Sequence, residues 1–124
     1  MKKPTILVVD SDEHSRYLLE ETFQMMVQYS KNYHLLSTSS GKEAINFCHE
    51  YNIELIFTEI KLKDMDGWQL INKINELFPS TPIIVQTAVV TDDIAQMVRE
   101  SGADSYVAKP IDIYEVQTKV QLVL

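Results

Sequence analysis

The sequence predicts a doubly wound α/β domain, with a five-stranded parallel sheet covered by helices on both faces. Three observations carry this. Short runs of β-forming residues alternate with longer stretches of helical period five times along the chain. The runs lack polar alternation, which marks strands buried on both faces. Only 3 Gly and 4 Pro occur in 124 residues, so regular structure dominates.

The elements follow in order. Ile6-Leu7-Val8-Val9 reads as the first strand. Leu18, Leu19, Thr22, Phe23, Met26 and Val27 recur at helical spacing as one helix. His34 to Thr38 is a second, weaker strand. Ser40-Gly41-Lys42-Glu43 has the capping-box pattern, with Ala44, Ile45 and Cys48 on one face behind it. Glu54 to Thr58 is the third strand. Asp66-Gly67-Trp68-Gln69 is a second capping box, followed by Leu70, Ile71, Ile74, Leu77 and Phe78. Pro79 ends that helix, and Pro82 leads into Ile83-Ile84-Val85, the fourth strand. Thr91-Asp92-Asp93 opens a helix with acids in its first turn, where the helix dipole favours them. Ser101-Gly102 closes it. Asp104 to Ala108 is the fifth strand. Asp112 with Glu115 opens the fifth and last helix, which carries Val116, Val120 and Val123.

Composition narrows the function. Hydrophobic residues at 45% and charged residues at 23% exclude a disordered chain, and residues 1–124 read as one domain. A net charge of -7 offers no basic footprint for a phosphate backbone, so no direct nucleic-acid partner is expected. Cys48 is the only cysteine, which rules out an internal disulfide and a Cys-based zinc cage. Its spacing with Ala44 and Ile45 marks a small core residue, and a lone thiol fits a reducing cytosol. Lys2 and Lys3 precede an apolar run that stops at Asp10, too short for a signal peptide. Nothing approaches the ~20 apolar residues of a membrane span. A cytoplasmic location is expected, with no membrane contact.

In a doubly wound sheet, ligands gather at the carboxyl ends of the strands. Asp10, Ser11 and Asp12 stand there after the first strand, and Thr58 and Glu59 after the third. Thr87 and Ala88 follow the fourth, and Lys109-Pro110 the fifth. Acids, a hydroxyl and a Lys in one place suit phosphoryl handling. Carboxylates hold Mg²⁺, the hydroxyl donates to a phosphoryl oxygen, and the ammonium supplies a point charge.

Four segments in order, ILVVDSDEHSR, LIFTEIKLKDMDGWQL, PIIVQTA and GADSYVAKPID, make the chain resemble the response-regulator receiver domain of bacterial two-component signalling. The resemblance covers essentially the whole chain. It implies a flavodoxin-like strand order of 2-1-3-4-5 and a role in a phosphorelay rather than catalysis. By this resemblance, Asp10 matches the first acid of the family's acidic pair. Ser11 stands where the second, metal-binding acid belongs, and Glu59 occupies the phosphoacceptor position. Lys63 falls where Pro is common. Thr87, Tyr106, Lys109 and Pro110 match the switch hydroxyl, the switch aromatic and the Lys-Pro pair.

The departures at Glu59 and Ser11 decide the expected chemistry. One extra methylene carries the Glu59 carboxylate roughly 1.5 Å too far, and a displacement near 1 Å costs in-line attack ~100-fold. Ser11 removes a metal ligand, leaving Asp10 in a weak or absent Mg²⁺ site. The expectation is a pseudo-receiver, a phosphorylation-independent interaction module with no resident cofactor. Glu59 is expected to push its charge towards Thr87 and Lys109, imitating part of what a phosphoryl group adds. The partner surface is expected on the fourth helix, fifth strand and fifth helix, with Ile113 and Tyr114 as anchors for a protein or a second copy. A sensor kinase or an attached output domain is the partner class the resemblance implies.

Other readings stand beside these. A phosphorylatable receiver with an unusual site keeps the fold and restores the covalent switch. Asp10 and Asp12 also resemble the D-x-D start of haloacid-dehalogenase-type phosphatases, although the following Gly-Thr, a second acidic pair and room for a cap are missing. Asp12 either caps the first helix or reaches in for the acid absent at Ser11. Glu59 and Lys109 are either site residues or a structural pair, and Tyr106 is either packing or switch. Asp64 and Asp66 read as loop and cap residues, Trp68 as helix packing. His14, His34 and His49 are too scattered for a metal site.

Overall fold

The computed structural model describes residues 3–124; Lys2 and the side chain of Val27, both named above, lie outside the described residues. Strands β1 (Thr5–Val9), β2 (His34–Thr38), β3 (Ile53–Thr58), β4 (Ile83–Thr87) and β5 (Ser105–Ala108) form one parallel sheet in the order β2-β1-β3-β4-β5. This is the flavodoxin-like order that the family resemblance implies. Among the described residues the helices are α1 (Glu13–Met25), α2 (Val27–Asn32), α3 (Gly41–Glu50), α4 (Gly67–Leu77), α5 (Ile94–Ser101) and α6 (Ile113–Val123).

Strand alternation sorts the apolar residues into two cores. Leu7, Val9, Ile56, Ile83 and Val85 face α3, α4 and α5, which contribute Ala44, Cys48, Ile71, Ile74, Ile94 and Val98. Ile6, Val8, Leu55, Phe57, Ile84 and Val107 face α1, α2 and α6, with Leu19, Phe23, Tyr29, Val116 and Val120. Burial pushes the Cys48 thiol up to about 11, which keeps it protonated and inert at neutral pH.

Three local expectations are corrected. The first helix does not run unbroken to Val27. Met26 leaves the helical region at φ -90, ψ 81, and its N–H bonds Phe23 O at 3.1 Å. A straight stripe through Leu19, Phe23 and Met26 leads next to Ser30, which is polar; the break brings Tyr29 into the core instead. Six helices result where five were expected, and Leu18 is left exposed. Thr91-Asp92-Asp93 precedes α5 rather than forming its first turn. Thr91 Oγ1 donates to Asp93 Oδ1 at 2.5 Å, and Asp93 makes no side-chain cap. The capping box at Ser40 has one arm only. Ser40 Oγ accepts from Glu43 N at 3.0 Å, while Ser40 N donates to Thr38 Oγ1 at 3.1 Å.

Asp64 supplies the rest of that cap from the β3–α4 loop. It accepts from Gly41 N (3.0 Å), Lys42 N (3.1 Å) and Ser40 Oγ (2.8 Å). The Gly41 N–H contributes most to holding the Asp64 carboxyl down at about 2. Asp66 forms the full capping box with Gln69 at the start of α4. Between these anchors, Gly67 N donates to Ile60 O at 2.6 Å. A Cβ on Gly67 would overlap the Glu59 carbonyl oxygen and the Ile60 backbone, so only glycine lets α4 begin this close to the end of β3. Gly67→Ala is expected to cost about 1–3 kcal/mol in urea unfolding by overpacking. A variant as stable as the wild type would show that the approach is not tight.

Candidate functional site

The alternation that builds the two cores also builds the site. Ile6 and Val8 face α1 and α6, and so does the next residue in step, Asp10. The same parity runs from Phe57 to Glu59, from Ile84 to Gln86 and from Val107 to Lys109. One face of four neighbouring strands thus ends in two acids, an amide and an ammonium.

Asp10 is 1% exposed, and both of its carboxylate oxygens are paired inside the protein. Lys109 Nζ lies 2.6 Å from its Oδ2, Gln86 Nε2 donates to that oxygen at 3.1 Å, and Asp12 N donates to Oδ1 at 2.9 Å. Arg16 Nη1 also donates to the Asp10 carbonyl at 2.6 Å. A buried carboxylate requires this degree of pairing. Lys109 therefore sits nearer Asp10 than Glu59, whose Oε2 lies 3.7 Å away. Glu59 Oε2 is buried with no hydrogen-bond partner among the described residues. Burial raises the Glu59 pKa above its ordinary value; Lys109 opposes that shift and Asp10 adds to it.

Asp10, Glu59 and Lys109 are brought together as the sequence suggests. The other candidates turn elsewhere. Ser11 Oγ accepts from Lys63 N at 3.1 Å, so the residue in the second-acid position anchors the β3–α4 loop. Asp12 is exposed and caps α1, accepting from Ser15 N and Ser15 Oγ; it does not reach in to replace the missing acid. Thr87 is buried, and its Oγ1 accepts from Val89 N at 3.1 Å, inside its own loop. Of the two groups Glu59 is expected to approach, Lys109 lies 3.7 Å from its Oε2 while bonded to Asp10, and the Thr87 hydroxyl is engaged by Val89 N. Tyr106 packs half-buried against the core under α3, α4 and α5.

Gln86 and Arg16 were not legible as site residues. Gln86 carries a usable signal, being the one amide in the apolar run Ile83-Ile84-Val85-Gln86-Thr87. Arg16 carries none beyond its place one turn into α1.

The residues do not fit a divalent cation. No cluster of three His, Cys, Asp or Glu side chains able to hold a metal occurs among the described residues. Asp10 has its oxygens taken, Ser11 is neutral, and Lys109 stands between the two carboxylates.

The comparisons agree with this fold. The family model described as the response regulator receiver domain matches residues 6–121. A transcriptional regulatory protein SrrA of Staphylococcus aureus is 34% identical over 96% of this chain and 47% of its own length. A probable transcriptional regulator, ycf27, of Guillardia theta is 31% identical over 98% of this chain and 46% of its own. The chain spans about half the length of these curated relatives. Among solved structures, a two-component response regulator from Clostridium difficile superposes with a TM-score of 0.84 at 28% identity, covering 97% of this chain and 94% of that one. The chemotaxis protein CheY4 of Vibrio cholerae, at 20% identity and a TM-score of 0.84, covering 98% of each chain, shares the fold.

The raised Glu59 pKa has a sign in stability. An acid whose folded pKa exceeds its unfolded value favours the fold while protonated, and that contribution is lost as pH rises through the folded pKa. Glu59→Gln is therefore expected to unfold at a higher temperature than wild type at pH 7, with the gap closing below the ordinary Glu range. A gap of opposite sign would show that Glu59 is stabilised as a charge.

Proposed function

The chain belongs to the response-regulator receiver family of two-component signalling, and on that premise we propose that it acts as a phosphorylation-independent protein-interaction module. The observation that carries this reading is the acceptor position itself. Glu59 stands there beside an Asp10 whose oxygens are spoken for, and Ser11 brings no second carboxylate. Phosphoryl transfer to a carboxylate depends on in-line placement and on a cation that neutralises the equatorial oxygens. The longer Glu59 side chain compromises the first, and the missing acid the second.

The partner surface on this reading is α5, β5 and α6. β5 is an edge strand, and both helices pack beside it. Val89 and Val90 in the β4–α5 loop, Met97 on α5 and Tyr114 on α6 are exposed apolar side chains in this part of the molecule. Ile113 is half-buried, so Tyr114, at 76% exposure, is the stronger anchor. A sensor kinase, an output domain or a second copy would be read through this surface without a covalent switch. Regulation of transcription, as the names of the relatives state for those proteins, would then belong to an attached or separate output domain.

Intact-mass spectrometry immediately after incubation with acetyl phosphate and Mg²⁺ tests the proposal. No mass addition is expected, under conditions that label an ordinary receiver. A one-phosphoryl addition on Glu59 or a neighbouring Asp would contradict it.

A further inference from the structure

We infer that Gln86 is a positioning residue that holds the acidic pocket closed to divalent cations, in addition to Glu59 and Ser11; the inference rests on the receiver reading of the pocket. Gln86 is the penultimate residue of β4 and is 1% exposed. Its Nε2 donates to Asp10 Oδ2 at 3.1 Å, the same oxygen that Lys109 Nζ approaches at 2.6 Å. Two donors fill the two lone pairs of that oxygen.

The two donors differ in what they lose when a cation arrives. Lys109 is a partly exposed ammonium on a long stem, already 3.7 Å from Glu59 Oε2 and able to turn to that carboxylate or out to water. Gln86 is anchored in the sheet, with Ile84 and Val107 on its face, and lies at the floor of the cavity that His14, Ser15 and Lys109 also line. Its Oε1 already accepts no hydrogen bond from the described residues. A cation on the lone pair that Lys109 vacates would lie against the positive end of this fixed N–H dipole, on an oxygen whose charge the amide already shares; moving the amide aside would leave a buried donor without a partner, which is costly. The amide orientation is fixed by the same contact, since a flipped Gln86 would set oxygen against carboxylate. Restoring the two acids by Ser11→Asp and Glu59→Asp therefore leaves one obstacle in place.

Electron paramagnetic resonance of Mn²⁺, which counts the free ion directly, tests this in two proteins. One carries Ser11→Asp and Glu59→Asp; the other carries these and Gln86→Met, an apolar side chain of similar length. The third substitution is expected to tighten Mn²⁺ binding about tenfold, with folding checked by far-UV circular dichroism and cooperative thermal unfolding. Equal affinity in the two proteins would overturn the inference. Gln86→Leu serves if Met does not fold. Should neither fold, the Gln86 side-chain amide signals of the doubly substituted protein decide. Displacement of those signals in step with Mg²⁺ occupancy is expected, and saturation with the signals unmoved would overturn the lock. Labelling of the wild type by acetyl phosphate would defeat the proposed function separately, whatever the Gln86 comparison reads.

Discussion

The carboxyl edge of this sheet is organised by one buried charge, the carboxylate of Asp10. At 1% exposure it has to be matched inside the protein. Lys109, Gln86 and the Asp12 N–H do so at 2.6, 3.1 and 2.9 Å. Removing one partner of a buried pair costs ~3–5 kcal/mol. The rest of the pocket adjusts to that pairing. Glu59 is left 3.7 Å from the ammonium, half-matched and inclined to hold its proton. Ser11 and Asp12 turn to backbone work, one on the loop after β3 and one at the start of α1.

That loop is the second rigid feature. Ser11 ties Lys63, Asp64 spans to the first turn of α3, and Asp66 caps α4, while Lys61 and Asp66 form an isolated antiparallel bridge. A segment pinned at so many points is held in one place beside Glu59. It has little freedom to respond to a change there. On the proposed reading, the domain presents one surface in one state, since a switch needs an input that distinguishes two states.

Much of this was legible before any coordinates. Unbroken apolar runs at Ile6–Val9 and Ile83–Val85 could only be doubly buried strands, and the period-2 rule carries Asp10, Glu59 and Lys109 to one face from the sequence alone. Gly102, at φ 90, closes α5 where the sequence places its end. The failures have physical causes. The break at Met26 answers to tertiary packing, because Tyr29 rather than Ser30 has to reach the core. Asp93 was read as a helix acid, but a local hydroxyl captured it first. Which carboxylate wins Lys109 depends on an ångström of reach and on Gln86, a residue hidden inside an otherwise apolar run.

The central claim is that Asp10 is committed to Lys109 and Gln86 rather than to a metal ion. A crystal of the wild-type protein soaked in millimolar Mn²⁺ and measured at the manganese absorption edge tests it most directly. The account predicts no anomalous peak beside Asp10, with Lys109 Nζ and Gln86 Nε2 still at hydrogen-bond distance from Oδ2. A manganese peak within ligand distance of Asp10, with Lys109 displaced, would contradict it.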